Sequence, residues 1–169
     1  MEIALKVGAA CVMTAAGAWG GNMLAGAQKR RADALSQAHS GVKRLEIEML
    51  EKRTPVREAL AACGGLFEET ARRMEGGAPP GEAWTAAVKP LSMRGGLLDS
   101  LEEGDLTALG RLFGGLGVGG VQAQRLTLNE AAGELERLAG QARRKREEQG
   151  KLYASLGSLG GLALSLLLL

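Results

Sequence analysis

The chain has 169 residues, 26 of them glycine, with 3% aromatics and a formal net charge of +2. That length holds one domain plus terminal segments, and a near-neutral balance gives no basic face of the kind nucleic acid requires, so no nucleic-acid partner is expected. A single histidine and two cysteines without a CxxC pattern are too few ligands for a zinc site.

Charge is distributed unevenly. Only Glu2 and Lys6 lie outside the stretch from Lys29 to Lys151. Val7 to Gln28 carries no charge, and about 22 residues suffice to cross a hydrocarbon core of about 30 Å. Gly8, Gly17, Gly20 and Gly21 give it small-residue spacings, and Trp19 and Asn22 suit an interface. Residues 1–28 are therefore expected to form an N-terminal transmembrane segment. The competing reading is a cleaved signal peptide ending near Ala25-Gly26-Ala27. Against it stand a basic region reduced to Lys6 and the cations Lys29, Arg30 and Arg31 that follow at once. Cys11 in this segment and Cys63 in the charged middle are poorly placed to meet as a disulfide.

Residues 29–150 read as helical throughout, without period-two alternation. Leu35, Ala38, Val42, Leu45 and Met49 recur at spacings of three and four, which predicts a packed helix from Gln28 to about Arg53. Thr54-Pro55 then reads as N-cap and first helical position, with Glu58 in the first turn. The helix they open is predicted to run towards Met74. Its core side is Val56, Ala59, Leu60, Cys63, Leu66 and Phe67, and Gly64-Gly65 loosens it. Gly76 to Gly81 is a break. Pro80 opens a short helix with Trp84 inward, which Lys89-Pro90 ends. After Leu97, Leu98 and Leu101, Asp105 is the expected N-cap of a helix carrying Leu106, Leu109, Leu112, Phe113 and Leu116. Gly114 to Gly120 is expected to be a flexible turn. A long helix then starts at Val121, with Leu128, Ala131, Leu135, Leu138 and Ala142 as its stripe, and runs towards the C-terminal segment.

Residues 151–169 are the second expected transmembrane segment. They are uncharged after Lys151, at the short end of the spanning range. The cations Lys29 to Arg31 and Arg143 to Arg146 flank the two segments on their inner sides. The positive-inside rule then puts the middle in the cytoplasm and both termini across the membrane. The fold class expected is all-α: a cytoplasmic bundle of about five to six helices between two transmembrane helices. Membrane lipid is an expected partner, and Arg143 to Arg146 suit anionic headgroups.

No catalytic constellation emerges. The glycine run has no following GKS or GKT and no preceding strand, so it is no phosphate cradle. The acid pairs Glu46/Glu48, Glu68/Glu69, Glu102/Glu103 and Glu147/Glu148 read as solvated helix charges. No enzyme activity, cofactor, metal or small-molecule substrate is expected. The expected partner contact is the charged surface of Glu46, Glu48, Arg57 and Glu58 beside Thr54-Pro55. The plainer alternative is that Thr54, Pro55 and Glu58 only start a helix.

Leu45-Glu46-Ile47-Glu48-Met49, followed by Thr54-Pro55-Val56-Arg57-Glu58-Ala59-Leu60, resembles the Leu-Glu-x-Glu-Ile…Thr-Pro-Leu-x-Glu-Ala-Leu stretch of the stage III sporulation protein AB family of endospore-forming bacteria. Trp19-Gly20, Trp84, and the closing Lys151-Leu152-Tyr153-Ala154-Ser155-Leu156-Gly157 with Gly160-Gly161-Leu162 are similar to it as well. The resemblance covers essentially the whole chain. It departs where the family has Leu-Gly-x-x-Asp. Here Leu116-Gly117 is followed by Val118-Gly119-Gly120-Val121, and Gln122 and Gln124 come after.

The resemblance implies a place in the complex that links the mother cell to the engulfed forespore. Members look like a half-copy of the platform proteins of type II secretion and type IV pilus systems. The implied partners are the stage III sporulation AA ATPase and the channel-ring proteins, and the implied role is to couple that ATPase to the membrane. Two other classes compete. One is a pore or export component made by oligomerised glycine-rich anchors. The other is a secreted helical adaptor, should the first segment be cleaved.

Overall fold

The computed structural model describes residues 26–167. The expected anchor at 1–28 lies outside the described residues up to position 25, as do Cys11, Trp19 and the last two leucines. Among the described residues the chain is all-helical. Six helices follow in order: α1 (residues 26–46), closed by a π-helical turn Ile47–Glu51, α2 (Val56–Cys63), α3 (Gly65–Arg73), α4 (Pro80–Leu91), α5 (Glu103–Gly115) and α6 (Val121–Leu167). None of them is long and apolar enough to cross a membrane.

One compact unit is Arg30–Gln141; a second takes in residues 26–29 and the described part of α6 from Ala142 onwards. The core of the first follows the predicted stripes. Leu35, Ala38, Val42 and Leu45 of α1 are at most 1% exposed, and Leu128 and Leu135 of α6 join them in the same cluster. Each fully buried leucine of this kind is worth about 1.5–3 kcal/mol. Helices α2, α3, α4 and α5 pack in sequence, each on the next.

Several local expectations are corrected. The helix predicted from Pro55 towards Met74 is two helices. Gly64 and Gly65 take φ of 73° and 57°, a left-handed conformation that cannot continue a right-handed helix. Pro90 lies inside α4, in its last turn, and does not stop it. A proline there forfeits little beyond its own hydrogen bond, and Ser92 N–H still reaches the Val88 carbonyl at 2.9 Å. Gly114 and Gly115 end α5 and are not part of a flexible turn. A Cβ on Gly81 would lie 3.2 Å from the Gly114 Cα, so α4 and α5 touch through these two glycines. That approach supports the stack of Trp84 on Phe113, with ring centroids 4.7 Å apart and planes 15° from parallel.

The turn between α5 and α6 is pinned. The Gln124 side chain, 7% exposed, accepts the Gly117 N–H at 3.1 Å and donates to the carbonyls of Gly115 and Val118. Gly117 itself holds φ 79°, where a side chain would be strained.

Candidate functional site

The Thr54-Pro55 junction is built by Glu48. The residue lies in the π-helical turn, so its carbonyl and side chain both face the chain that leaves the helix. The carbonyl accepts the Thr54 N–H at 2.9 Å. The carboxylate accepts Lys52 Nζ at 2.7 Å and the Thr54 hydroxyl at 3.3 Å. The Lys52 hydrogen bond is the largest effect holding Glu48 below the ordinary glutamate range; desolvation, the next largest, opposes it, and the Lys52 charge, the Thr54 hydroxyl and the Arg44 charge add to the lowering. Arg53 takes φ 55°, unusual for a residue with a Cβ, and this turns the backbone into the junction.

Thr54 is therefore not the N-cap of α2. Its hydroxyl is turned back to Glu48, and Pro55 occupies the cap, with its carbonyl accepting the Ala59 N–H at 2.9 Å and no side-chain cap. Of the four residues expected to contact a partner, Glu58 and Arg57 are exposed on the first turn of α2. Arg57 faces Glu75 at 3.8 Å. Glu46 is half-covered and receives Lys43 at 3.3 Å. Glu48 is not the exposed charge expected: its side chain is only 13% exposed because Lys52 and Thr54 close over it. Among the described residues no ion pair joins Glu46 or Glu48 to Arg57 or Glu58. Ala59 and Leu60 on the inner face of α2 and Trp84 of α4 are buried in the same core cluster and are not part of the exposed surface.

An ionic cluster lies at the start of α1. The Arg31 guanidinium donates to both carboxylate oxygens of Asp105, 74 residues away in sequence, at 2.7 and 2.8 Å. Its third nitrogen meets Glu102 at 2.6 Å. The Asp105 side chain is 0% exposed and Arg31's is 5%. Asp105 also accepts the Glu102 N–H at 2.9 Å. It is thus the third residue of α5, closing the first turn from within, and Glu102 holds the N-cap position assigned to Asp105 from the sequence. The hydrogen bond to Asp105 raises the Arg31 pKa further above its already high value. The sequence signal was there: Arg31 is one turn before Leu35, on the apolar face.

Cys63 donates its thiol to the Ala59 carbonyl at 3.1 Å, and burial pushes its pKa up to about 11. Among the described residues no group of three or more His, Cys, Asp or Glu side chains is arranged to hold a metal ion. The Thr54-Pro55 corner carries the charge pairs Lys52–Glu48, Lys43–Glu46 and Arg57–Glu75 at its surface.

The chain matches the family model described as stage III sporulation protein AB over residues 6–169. Neither the curated proteins nor the solved structures compared with it gave a match. With nearly its whole length matched, this chain belongs to the stage III sporulation protein AB family and has a role in sporulation.

Proposed function

We propose that this chain is a non-enzymatic membrane platform subunit of the channel complex between mother cell and forespore. Its two apolar ends, 1–28 and 151–169, anchor it. The helical middle sits in the mother-cell cytoplasm and presents its charged surface to the stage III sporulation AA ATPase. The observation that carries this reading is the family match from residue 6 to residue 169, which takes in both apolar segments along with the helical middle. The cations flanking those segments support the topology. A helical unit whose Thr54-Pro55 corner is held by two hydrogen bonds from Thr54 to Glu48 supports a docking role.

Within that surface Glu46 and Glu58 carry the contact, because Glu48 is engaged in holding the junction. The double charge reversal Glu46→Lys/Glu58→Lys is expected to weaken binding of the purified ATPase to the full chain in lipid nanodiscs at least tenfold, with an unchanged thermal melt. ATPase affinity equal to that of the parent protein refutes this assignment.

A further inference from the structure

The buried stripe of α6 ends at Ala142, which is 0% exposed. Every residue from Arg143 to Glu148 is exposed. Arg143, Arg144, Lys145 and Arg146 are consecutive, and successive helical residues step about 100° around the axis, so these four cations ring the helix. With Lys151 the segment holds five cations against the two acids Glu147 and Glu148. Arg144, Lys145, Arg146 and Lys151 make no ion pair among the described residues. The exposed cations Lys52, Arg72 and Arg137, by contrast, each meet a carboxylate three or four residues away.

The helix continues without a break to Leu167. Arg146 therefore lies about 9 Å along the axis before Leu152, where the uncharged run begins, and Lys151 adjoins that run directly. The headgroup layer of a bilayer is about 5–8 Å deep on each side. Arginine and lysine side chains reach along such a helix on their apolar stems while the charged ends stay in the polar layer. Of the cations that open α1, Arg31 is spent on Asp105. Lys29, in the same compact unit as the basic turn of α6, is exposed.

We infer that this collar binds the phosphates of anionic phospholipids, gathering them around the point where α6 meets the bilayer. The inference rests on the platform reading, which puts the segment after Lys151 in a membrane. The all-round arrangement selects the occupant. A protein partner approaches a helix from one side and leaves part of such a ring unmatched. Headgroups surround a helix that crosses their layer, so each cation of the ring meets one. Attraction of this kind acts within about 10 Å at 0.1 M salt and weakens as salt is added.

The test reconstitutes the full chain in phosphatidylcholine vesicles and compares spin-labelled phosphatidylglycerol with spin-labelled phosphatidylcholine for motional restriction by the protein. The parent is expected to favour phosphatidylglycerol by about threefold or more. Arg144→Gln/Lys145→Gln/Arg146→Gln is expected to bring that preference below about 1.5-fold, while its undiminished restriction of phosphatidylcholine shows that it is still inserted. Arg72→Gln/Arg94→Gln/Arg111→Gln removes the same charge from other exposed positions and is expected to leave the preference unchanged. Equal restriction of the two lipids by the parent, a preference that survives in the collar variant, or an equal loss in the control variant overturns the collar and leaves the platform reading standing. Restriction of neither lipid by the parent overturns both. Should the collar variant keep its lipid preference and lose binding of the purified ATPase, the ring serves a protein, and the inference is wrong.

Discussion

Arg31 occupies a position that its helix face reserves for apolar residues, and its charge is tolerated because Asp105 meets it with two hydrogen bonds at full burial. Such a pair contributes little relative to two well-packed hydrophobes, but breaking one half leaves an unpaired buried charge. Arg31→Ala is therefore expected to lower stability by about 3–5 kcal/mol. Arg31→Met combined with Asp105→Leu is expected to recover most of that loss; chemical denaturation of the full chain in detergent, monitored by circular dichroism, reads both. Glu102, half-exposed, adds little, and Glu102→Gln is expected to cost less than about 1 kcal/mol.

Glu48 gives a pH-dependent counterpart. Its folded pKa lies below its unfolded one, so its contribution is present above the ordinary value of 4.5 and disappears as pH falls through the folded value. Parent protein and Glu48→Gln are accordingly expected to differ in melting temperature at pH 7, and to converge as pH falls below that window. A difference that persists unchanged into strong acid contradicts the role given to the carboxylate.

At the scale of elements, two contacts hold the helices in their arrangement. Gly41 lets α1 lie directly on the Phe67 ring of α3, so Gly41→Ala is expected to cost about 1–3 kcal/mol through overpacking, despite alanine's better helix propensity. Gln124 closes the α5–α6 turn, and Gln124→Leu leaves the Gly117 N–H and two carbonyls without that partner. The expected cost is about 1–3 kcal/mol, with loss of amide-exchange protection at Gly117.

These elements also show what the sequence could disclose. The buried faces of α1 and α6 were legible because a helix buries residues at fixed spacing, and Leu35, Val42, Leu128 and Leu135 obey it. The turn at Gly64-Gly65 was visible as weakness but not as a break, since composition does not say which glycine takes a positive φ. Thr54 was misassigned because capping residues are interchangeable with residues that bond backwards, and only the π-helical turn brings Glu48 within reach. The link from Arg31 to Asp105 spans 74 residues, and local patterns carry no information about such a pairing. At the contact surface, the charges were readable and their exposure was not: Lys52 covers Glu48, four residues back in the chain.

At the scale of the whole molecule, the family match from residue 6 to residue 169 takes in the helical middle and both apolar ends. In the proposed platform role anchoring and docking are separable. With both ends anchoring the chain as proposed, replacing Leu162 and Leu166 by aspartate is expected to release it into the soluble fraction after alkaline extraction only when the N-terminal segment is removed as well. In the proposed role the chain carries an ATPase to a membrane. Flotation of lipid vesicles with the purified ATPase, in the presence and absence of the full-length chain, tests it most directly. The ATPase is expected to rise with the vesicles only when the chain is present, and Glu46→Lys/Glu58→Lys is expected to leave the chain floating without it; an ATPase that stays at the bottom of the gradient beside a floating parent chain refutes the proposed role.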